Sequence, residues 1–143
     1  PGACYAKTEP DYVQGDIRDW GCNWRGATWI PTNYMIMHGL LDYGYADVAR
    51  ELARKTVDLV YKRNEVTREF YNGESGEGLG LKRFWGWSVL AYVMPFECET
   101  GYDPSKLDGS AVRPLGRELF GLDFPASDDP RPISTHLSQD GLQ

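Results

Sequence analysis

The feature that most constrains the fold is the order of two helical segments in the first half of the chain. The first segment begins near Thr28, a competent N-cap, tolerates Pro31 in its first turn, and is apolar on nearly every side. Gly44 is placed to end it. The second runs from about Ala46 to Arg63 and alternates apolar and charged residues with helical spacing. A mostly buried helix followed directly by a helix with one solvent-exposed face predicts an inner and an outer helical layer.

A third helix, from about Phe84 to Phe96, is again apolar nearly all round. The order inner, outer, inner predicts an all-α fold with concentric helical layers. We divide the chain into an irregular lead-in (1–27), the helical hairpin segments (28–96) and a Pro/Gly-rich C-terminal extension (97–143) with an irregular tail. Within the extension, residues 111–124 are apolar enough to pack back on the helices.

Composition excludes several classes of function. The net charge is −6 and no basic stripe appears, so nucleic acid is not an expected partner. No apolar run reaches the length of about 20 residues that spans a bilayer, so a membrane is not expected either. The glycine run near residue 78 does not form G-x-G-x-x-G, and the sequence has no P-loop, EF-hand loop or G-x-S-x-G motif.

No cofactor and no metal site is predicted. The three cysteines lack a C-x-x-C spacing and the chain has only two histidines: Cys4, Cys22, Cys98, His38 and His136. This pattern favours a reducing compartment such as the cytoplasm. Because the chain begins at Pro1 without a leader, we expect that a segment was removed or that the chain is a piece of a longer protein.

The segment from Thr67 to Gly80 carries the most informative chemistry. Glu69 precedes the aromatic pair Phe70-Tyr71, a run of glycines follows, and a tryptophan-rich segment comes next. Flat aromatic surface beside a carboxylate suits a sugar site, because ring faces stack and polar groups bond to hydroxyls. The alternative, which the sequence leaves open, is a surface loop whose aromatic residues are simply core.

Glycoside hydrolysis needs two carboxyl groups, an acid and a base or nucleophile. Glu69 is the best single candidate because its neighbours are aromatic residues and glycine. Glu74 and Glu77 lie in the glycine-rich loop and are expected to be solvated. Asp16 and Asp19 flank a Trp-rich loop, where a contact with sugar hydroxyls and a plain loop role are equally open.

These residues carry a resemblance to a known family. Trp24-Arg25-Gly26 with Trp29 and Asn33, then Glu69-Phe70-Tyr71-Asn72, Gly78-Leu79-Gly80 and Trp85-Gly86-Trp87-Ser88, resemble the C-terminal part of glycoside hydrolase family 63. They are especially similar to its mannosylglycerate-hydrolase-like and glucosidase branch, within the trehalase-like superfamily. The match covers roughly residues 20–96. Trehalases themselves share the layout but differ at Trp24-Arg25-Gly26, which makes them the second choice.

The resemblance implies an (α/α)6 barrel and an inverting mechanism on α-linked glucosyl or mannosyl substrates. It implies that Glu69 is the general base. The substrate-binding residues that it implies are Trp24, Arg25, Trp29, Asn33, Tyr71 and Trp87. Two departures from the family pattern are Ala27 and Gly73, each at a position where the family usually has proline.

The family's general acid is an aspartate from an earlier part of the barrel, which this chain does not contain. The resemblance therefore implies two partners, a small sugar or glycoside and the missing N-terminal part of the barrel, and it implies inactivity of the isolated chain. A trehalase-like fragment is the first alternative. The second is a non-catalytic helical module with a carbohydrate-binding or structural role.

Overall fold

This is a computed structural model of the chain, and it describes residues 6–13, 24–64, 66–80, 85–101 and 109–122, without the side chains of 109–111. Four helices are present in these ranges: α1 (Ile30–Asp42), α2 (Ala46–Val57), α3 (Leu90–Thr100) and α4 (Gly109–Phe120). A two-stranded hairpin is formed by β1 (Phe70–Tyr71) and β2 (Gly78–Leu79). The mostly helical fold that the sequence predicts is confirmed.

Helix α1 begins two residues later than predicted. Trp29 is its N-cap residue and makes no side-chain capping bond, while Pro31 lies in the first turn. Thr28 pairs instead with Tyr71 across an antiparallel bridge, with N–O distances of 2.7 and 2.9 Å. The helix ends before Gly44, whose φ of +82° is a conformation that glycine adopts without strain.

Helix α2 has the one-sided burial that its pattern predicts. Its buried residues recur at helical spacing and lie on one face of the helix: Ala49, Ala53, Thr56 and Val57. A π-helical turn at Asp58–Lys62 extends the helix and was not predicted. The predicted length to about Arg63 therefore holds, although the last part is more widely wound.

Two helices occupy part of the C-terminal extension. A 3-10 turn at Gly86–Val89 leads into α3, which continues to Thr100 through a buried Pro95. Helix α4 then packs on α3. Residues 123–143, together with Cys4, Cys22, Asp16 and Asp19, lie outside the described residues.

The core lies where α1, α2 and α3 meet. One buried cluster joins the three helices through Met37, Ala49, Ala53, Met94 and Cys98. A second joins them to the hairpin through Ile30, Val60, Tyr71 and Ala91. The hairpin is thereby fixed beside the first turn of α1 and the turn that leads into α3.

The all-round burial expected for α1 and α3 is not reached within this chain. Met35 is 64% exposed and Ile36 41% exposed on α1, and Val93 on α3 is also exposed. No described helix is long and apolar enough to cross a bilayer.

Candidate active site

Aromatic side chains from three separate segments form a layer beside the hairpin. Trp29 is stacked between Trp24 and Phe70, with ring centroids 4.1 and 4.8 Å apart. Trp87 is tilted against Trp29 at 5.8 Å. We call Trp24, Trp29, Phe70 and Trp87 the aromatic wall. Its centre is buried, whereas Trp24 and Trp87 are each 38% exposed and offer ring surface to a ligand.

Glu69 stands next to the aromatic wall, at the start of β1, and is half-buried. Its carboxylate lies against Gly80, so close that a Cβ on residue 80 would be 2.6 Å from the carboxylate Oε2. Its backbone carbonyl accepts a hydrogen bond from the Trp87 indole N–H at 2.7 Å. The backbone of Glu69 is therefore bonded to the exposed ring of Trp87.

Behind Glu69, the backbone is held by buried hydroxyl groups. The Tyr71 hydroxyl accepts a hydrogen bond from the backbone N–H of Arg68 at 3.0 Å, and Ser88 Oγ donates to the Arg68 carbonyl at 2.5 Å. The two hydroxyls are also hydrogen-bonded to each other, and burial raises the pKa of Tyr71. Tyr71 has no exposed surface, so its position is that of a support for the segment that carries Glu69.

Two other predicted site residues differ in their exposure. Asn33 is buried in α1, and its Nδ2 donates to Thr56 Oγ1 on α2 at 3.1 Å. Arg25 follows Trp24 on a turn, with its Nη2 3.8 Å from Asp11 Oδ1. The Arg25 side chain is 38% exposed and can reach a ligand, whereas Asn33 faces the neighbouring helix.

A cleft of about 300 Å³ opens between the start of α1, the end of α2 and the turn at 72–76. Thr28, Asn33, Thr56 and Asn72 are among its polar lining residues, and Glu69 and Trp87 do not line it. The cleft and the aromatic wall are thus separate features of the described structure. Within the part of the chain that the structure describes, the predicted carboxylate–aromatic site is an open face and not an enclosed pocket.

The remaining acidic candidates are solvent-facing. Glu74 and Glu77 are exposed, and the Glu74 carboxylate lies 3.5 Å from Lys7 Nζ. In the described ranges, no three His, Cys, Asp or Glu side chains come together as a possible metal site. Among the described residues, the groups that we consider for chemistry at this face are Glu69, Arg25 and the exposed tryptophans.

Sequence reasoning did not assign roles to Ser88 and Gly80, which together hold Glu69. Ser88 is fully buried and bonds across 20 residues of sequence, and Gly80 adopts a φ of +102°. A glycine run close to a candidate carboxylate was the only signal in the sequence, and it did not indicate which glycine matters.

Comparison with known proteins identifies the family of the chain. The sequence profile of the mannosylglycerate hydrolase MGH1-like glycoside hydrolase domain matches residues 3–88, more than half of the chain. The chain belongs to this family. The match includes the aromatic wall, Glu69, Gly80 and Ser88, and it confirms the resemblance to glycoside hydrolase family 63 that the motifs indicated.

Individual members of the MGH1-like family and their relatives are similar over part of the chain. A mannosylglycerate hydrolase of Thermus thermophilus is 40% identical over 69 residues, which is 48% of this chain and 16% of the relative. Alpha-glucosidase 2 of Arabidopsis thaliana is 30% identical over 104 residues, covering 64% of this chain and 13% of the relative.

A solved structure matches as well. The GH63 mannosylglycerate hydrolase from Thermus thermophilus in complex with glucose is 32% identical, with a TM-score of 0.49 over 62% of this chain and 20% of that chain. The chain therefore spans a fifth or less of the length of these three relatives.

Proposed function

We propose that this chain is the part of an inverting α-glycosidase that supplies the general base, Glu69, and one wall of the sugar pocket. The observation that carries the proposal is a half-buried Glu69 whose backbone carbonyl is bonded to the exposed Trp87 of the aromatic wall, in a chain of the MGH1-like glycoside hydrolase family. The names of the relatives, mannosylglycerate hydrolase and alpha-glucosidase, favour α-linked mannosyl or glucosyl substrates.

In an inverting mechanism the base takes a proton from a water molecule as the water oxygen attacks the anomeric carbon. An acid on the opposite side of the ring protonates the leaving oxygen, and the two carboxyl groups stand about 6.5–9.5 Å apart. Glu69 would be the first of these groups. The acid would come from the rest of an (α/α)6 barrel outside this chain, since that much chain is present in the relatives.

We assign the proposed roles in substrate binding according to the solvent exposure of each side chain. We assign the sugar's apolar face to the exposed rings of Trp24 and Trp87, and a hydroxyl contact to Arg25. For Trp29, Asn33 and Tyr71, whose side chains are buried, we assign support of these groups.

Replacement of Glu69 tests the proposal. In the complete protein that contains residues 1–143, Glu69→Gln should lower kcat by about 10²–10⁴-fold, the usual contribution of a general base, with KM and the melting temperature little changed. Glu77→Gln, at an exposed site on the same hairpin, is the matched control and should leave turnover unchanged. Undiminished turnover in Glu69→Gln would remove Glu69 from this role.

A non-catalytic carbohydrate-binding or structural module is the second candidate. It is favoured by the burial of Trp29 and Phe70 at the centre of the wall and by the absence of Glu69 from the lining of the 300 Å³ cleft. Reading the coding sequence upstream of Pro1 separates the two. Several further helical hairpins with an acidic residue in an aromatic setting favour the enzyme, and an upstream stop codon favours the module.

A further inference from the structure

We infer that Ser88 is a positioning residue that fixes the location of the Glu69 carboxylate; the inference rests on the proposed role of Glu69 as general base. Ser88 lies in the 3-10 turn that opens α3, 19 positions after Glu69. Its side chain is fully buried and therefore has no surface to offer to substrate.

Three consecutive carbonyls around Glu69 are bonded by one short segment. The backbone N–H of Trp85 donates to Thr67 O at 3.2 Å, Ser88 Oγ donates to Arg68 O at 2.5 Å, and Trp87 Nε1 donates to Glu69 O at 2.7 Å. Backbone carbonyls held away from water require hydrogen-bond donors, because leaving them unpaired is costly. Residues 85–88 supply them.

The middle bond closes a small buried network. The Arg68 N–H donates to the Tyr71 hydroxyl, the Tyr71 and Ser88 hydroxyls bond to each other, and Ser88 Oγ donates to the Arg68 carbonyl. Both backbone groups of the residue that precedes Glu69 are thereby fixed. Ser88 Oγ is the member that bonds both to the Tyr71 hydroxyl and to the Arg68 carbonyl, so its loss would open the network.

Gly80 constrains the same residue from the opposite side. The Glu69 side chain occupies the space in which any other residue 80 would place its Cβ, which would collide with Glu69 Cβ and lie 2.6 Å from Oε2. The carboxylate is thus bounded by Gly80 while its backbone is bonded to residues 85–88. A base must lie within hydrogen-bond reach of its water, and a misplacement of about 1 Å can lower the rate about 100-fold.

Because Ser88 lies in the turn that leads into α3, the position of the base is tied to the helical core. Ser88 N–H donates to Trp85 O at 3.2 Å, which closes the turn, and Ala91 and Met94 of α3 are fully buried in the two core clusters. The hydrophobic packing of α3 therefore helps to fix the position of the Glu69 carboxylate.

The test compares Ser88→Ala and Ser88→Thr in the complete protein that contains this chain. Ser88→Ala should lower kcat about 10–100-fold with KM within about twofold, since no substrate contact is removed. Ser88→Thr keeps the hydroxyl and should restore most of kcat. Ser75→Ala, in the exposed turn at 73–75, is the control and should match the wild type.

Azide provides a readout that a purely structural loss would not change. Azide forms the new bond to the anomeric carbon with inversion, the glycosidic C–O bond breaks, and the leaving oxygen takes the proton of the general acid. This anion needs no base. In Ser88→Ala the ratio of glycosyl azide to free sugar should rise about 10-fold or more over the wild type, whereas a general loss of folded enzyme lowers both products equally.

The outcomes separate the two proposals. Wild-type kcat and azide ratio in Ser88→Ala, with Glu69→Gln inactive, overturn the positioning role and leave the base in place. Full activity in Glu69→Gln overturns both. If Ser88→Ala melts below the assay temperature, Tyr71→Phe removes another member of the same network with the ring volume kept, and the same kcat loss and azide ratio are required of it.

Discussion

At the scale of single residues, Gly80 is important because it has no Cβ. Its φ of +102° disfavours any side chain, and the Glu69 side chain fills the position of its missing Cβ. A substitution of Gly80 would therefore have two effects at once, namely backbone strain and displacement of the Glu69 carboxylate. Gly44, with a φ of +82° and open space around it, isolates the first effect.

We expect Gly80→Ala to lower both stability and kcat. The left-handed backbone costs about 1–3 kcal/mol for a non-glycine residue, and the new methyl group displaces the carboxylate. Gly44→Ala should show a similar loss of stability, measured by thermal melting, with kcat unchanged. If the two variants lose equal activity, the contact between Gly80 and Glu69 has no part in catalysis.

Gly73, where the family usually has proline, has a physical reason within this chain. A Cβ on residue 73 would collide with the carbonyl oxygen of Gly26, so the two loops approach too closely for a side chain. Gly26 in turn lies against Tyr12 and Val13. The departure is thus an adaptation of the contact between the lead-in and the hairpin.

At the scale of elements, the long helices could be predicted from their amphipathic or apolar sequence patterns, whereas the short strands could not. The burial of α2 follows its charge pattern, and Gly44 marks the end of α1. The two-residue strands have no pattern of their own. They are held by side-chain bonds, such as the one from Gly78 N–H to Asn64 Oδ1 at 2.7 Å, between residues far apart in sequence.

Helix α4 was missed for a different reason. Residues 111–124 were predicted to pack back on the other helices, which α4 does, but the Pro and Gly residues of the extension gave no helical pattern, and Pro114 lies inside the helix. Burial of Leu115 and Leu119 and the ion pair of Glu118 with Arg54 of α2 outweigh the low propensity. Tertiary contacts, which a single sequence does not display, decide the structure of such a segment.

For the candidate site, too, only a part could be predicted from the sequence. Glu69 was singled out from its aromatic and glycine neighbours, Trp24 and Trp87 were implied by the family resemblance, and the roles of all three stay predictions. The structure bonds the Glu69 backbone carbonyl to the Trp87 indole. The supporting bonds of Ser88 join positions 20 apart and leave no local signature. Reactive groups are thus easier to find from sequence than the residues that hold them.

Packing of α3 against α1 and α2 can be followed through Cys98. This thiol is buried in the cluster with Met37 and Met94, and burial raises its pKa to about 11. Since the thiolate is the reactive form, iodoacetamide at pH 8 should alkylate Cys98 at least about 100-fold more slowly in the folded protein than in guanidinium. Peptide mass spectrometry isolates this cysteine from the other two, and equal rates would contradict the packing.

At the scale of the whole molecule, the chain is too short to enclose the site that it carries. It spans a fifth or less of the relatives compared, and the aromatic wall with Glu69 is open to solvent on one side. Met35, Ile36 and Val93 are exposed on the two helices with the most apolar sequences. We propose that the remainder of an (α/α)6 barrel covers these residues and completes the pocket.

The 143-residue chain by itself should therefore associate. Exposed apolar surface of this kind drives self-association, because water is released when two such faces meet. Sedimentation at increasing concentration should show oligomers, and Met35→Lys with Ile36→Glu should reduce them without lowering the melting temperature, since both side chains are already exposed. A monomer with one cooperative melt would show instead that these residues need no cover. In that case the inactivity expected of the isolated chain would have to come from the missing acid alone.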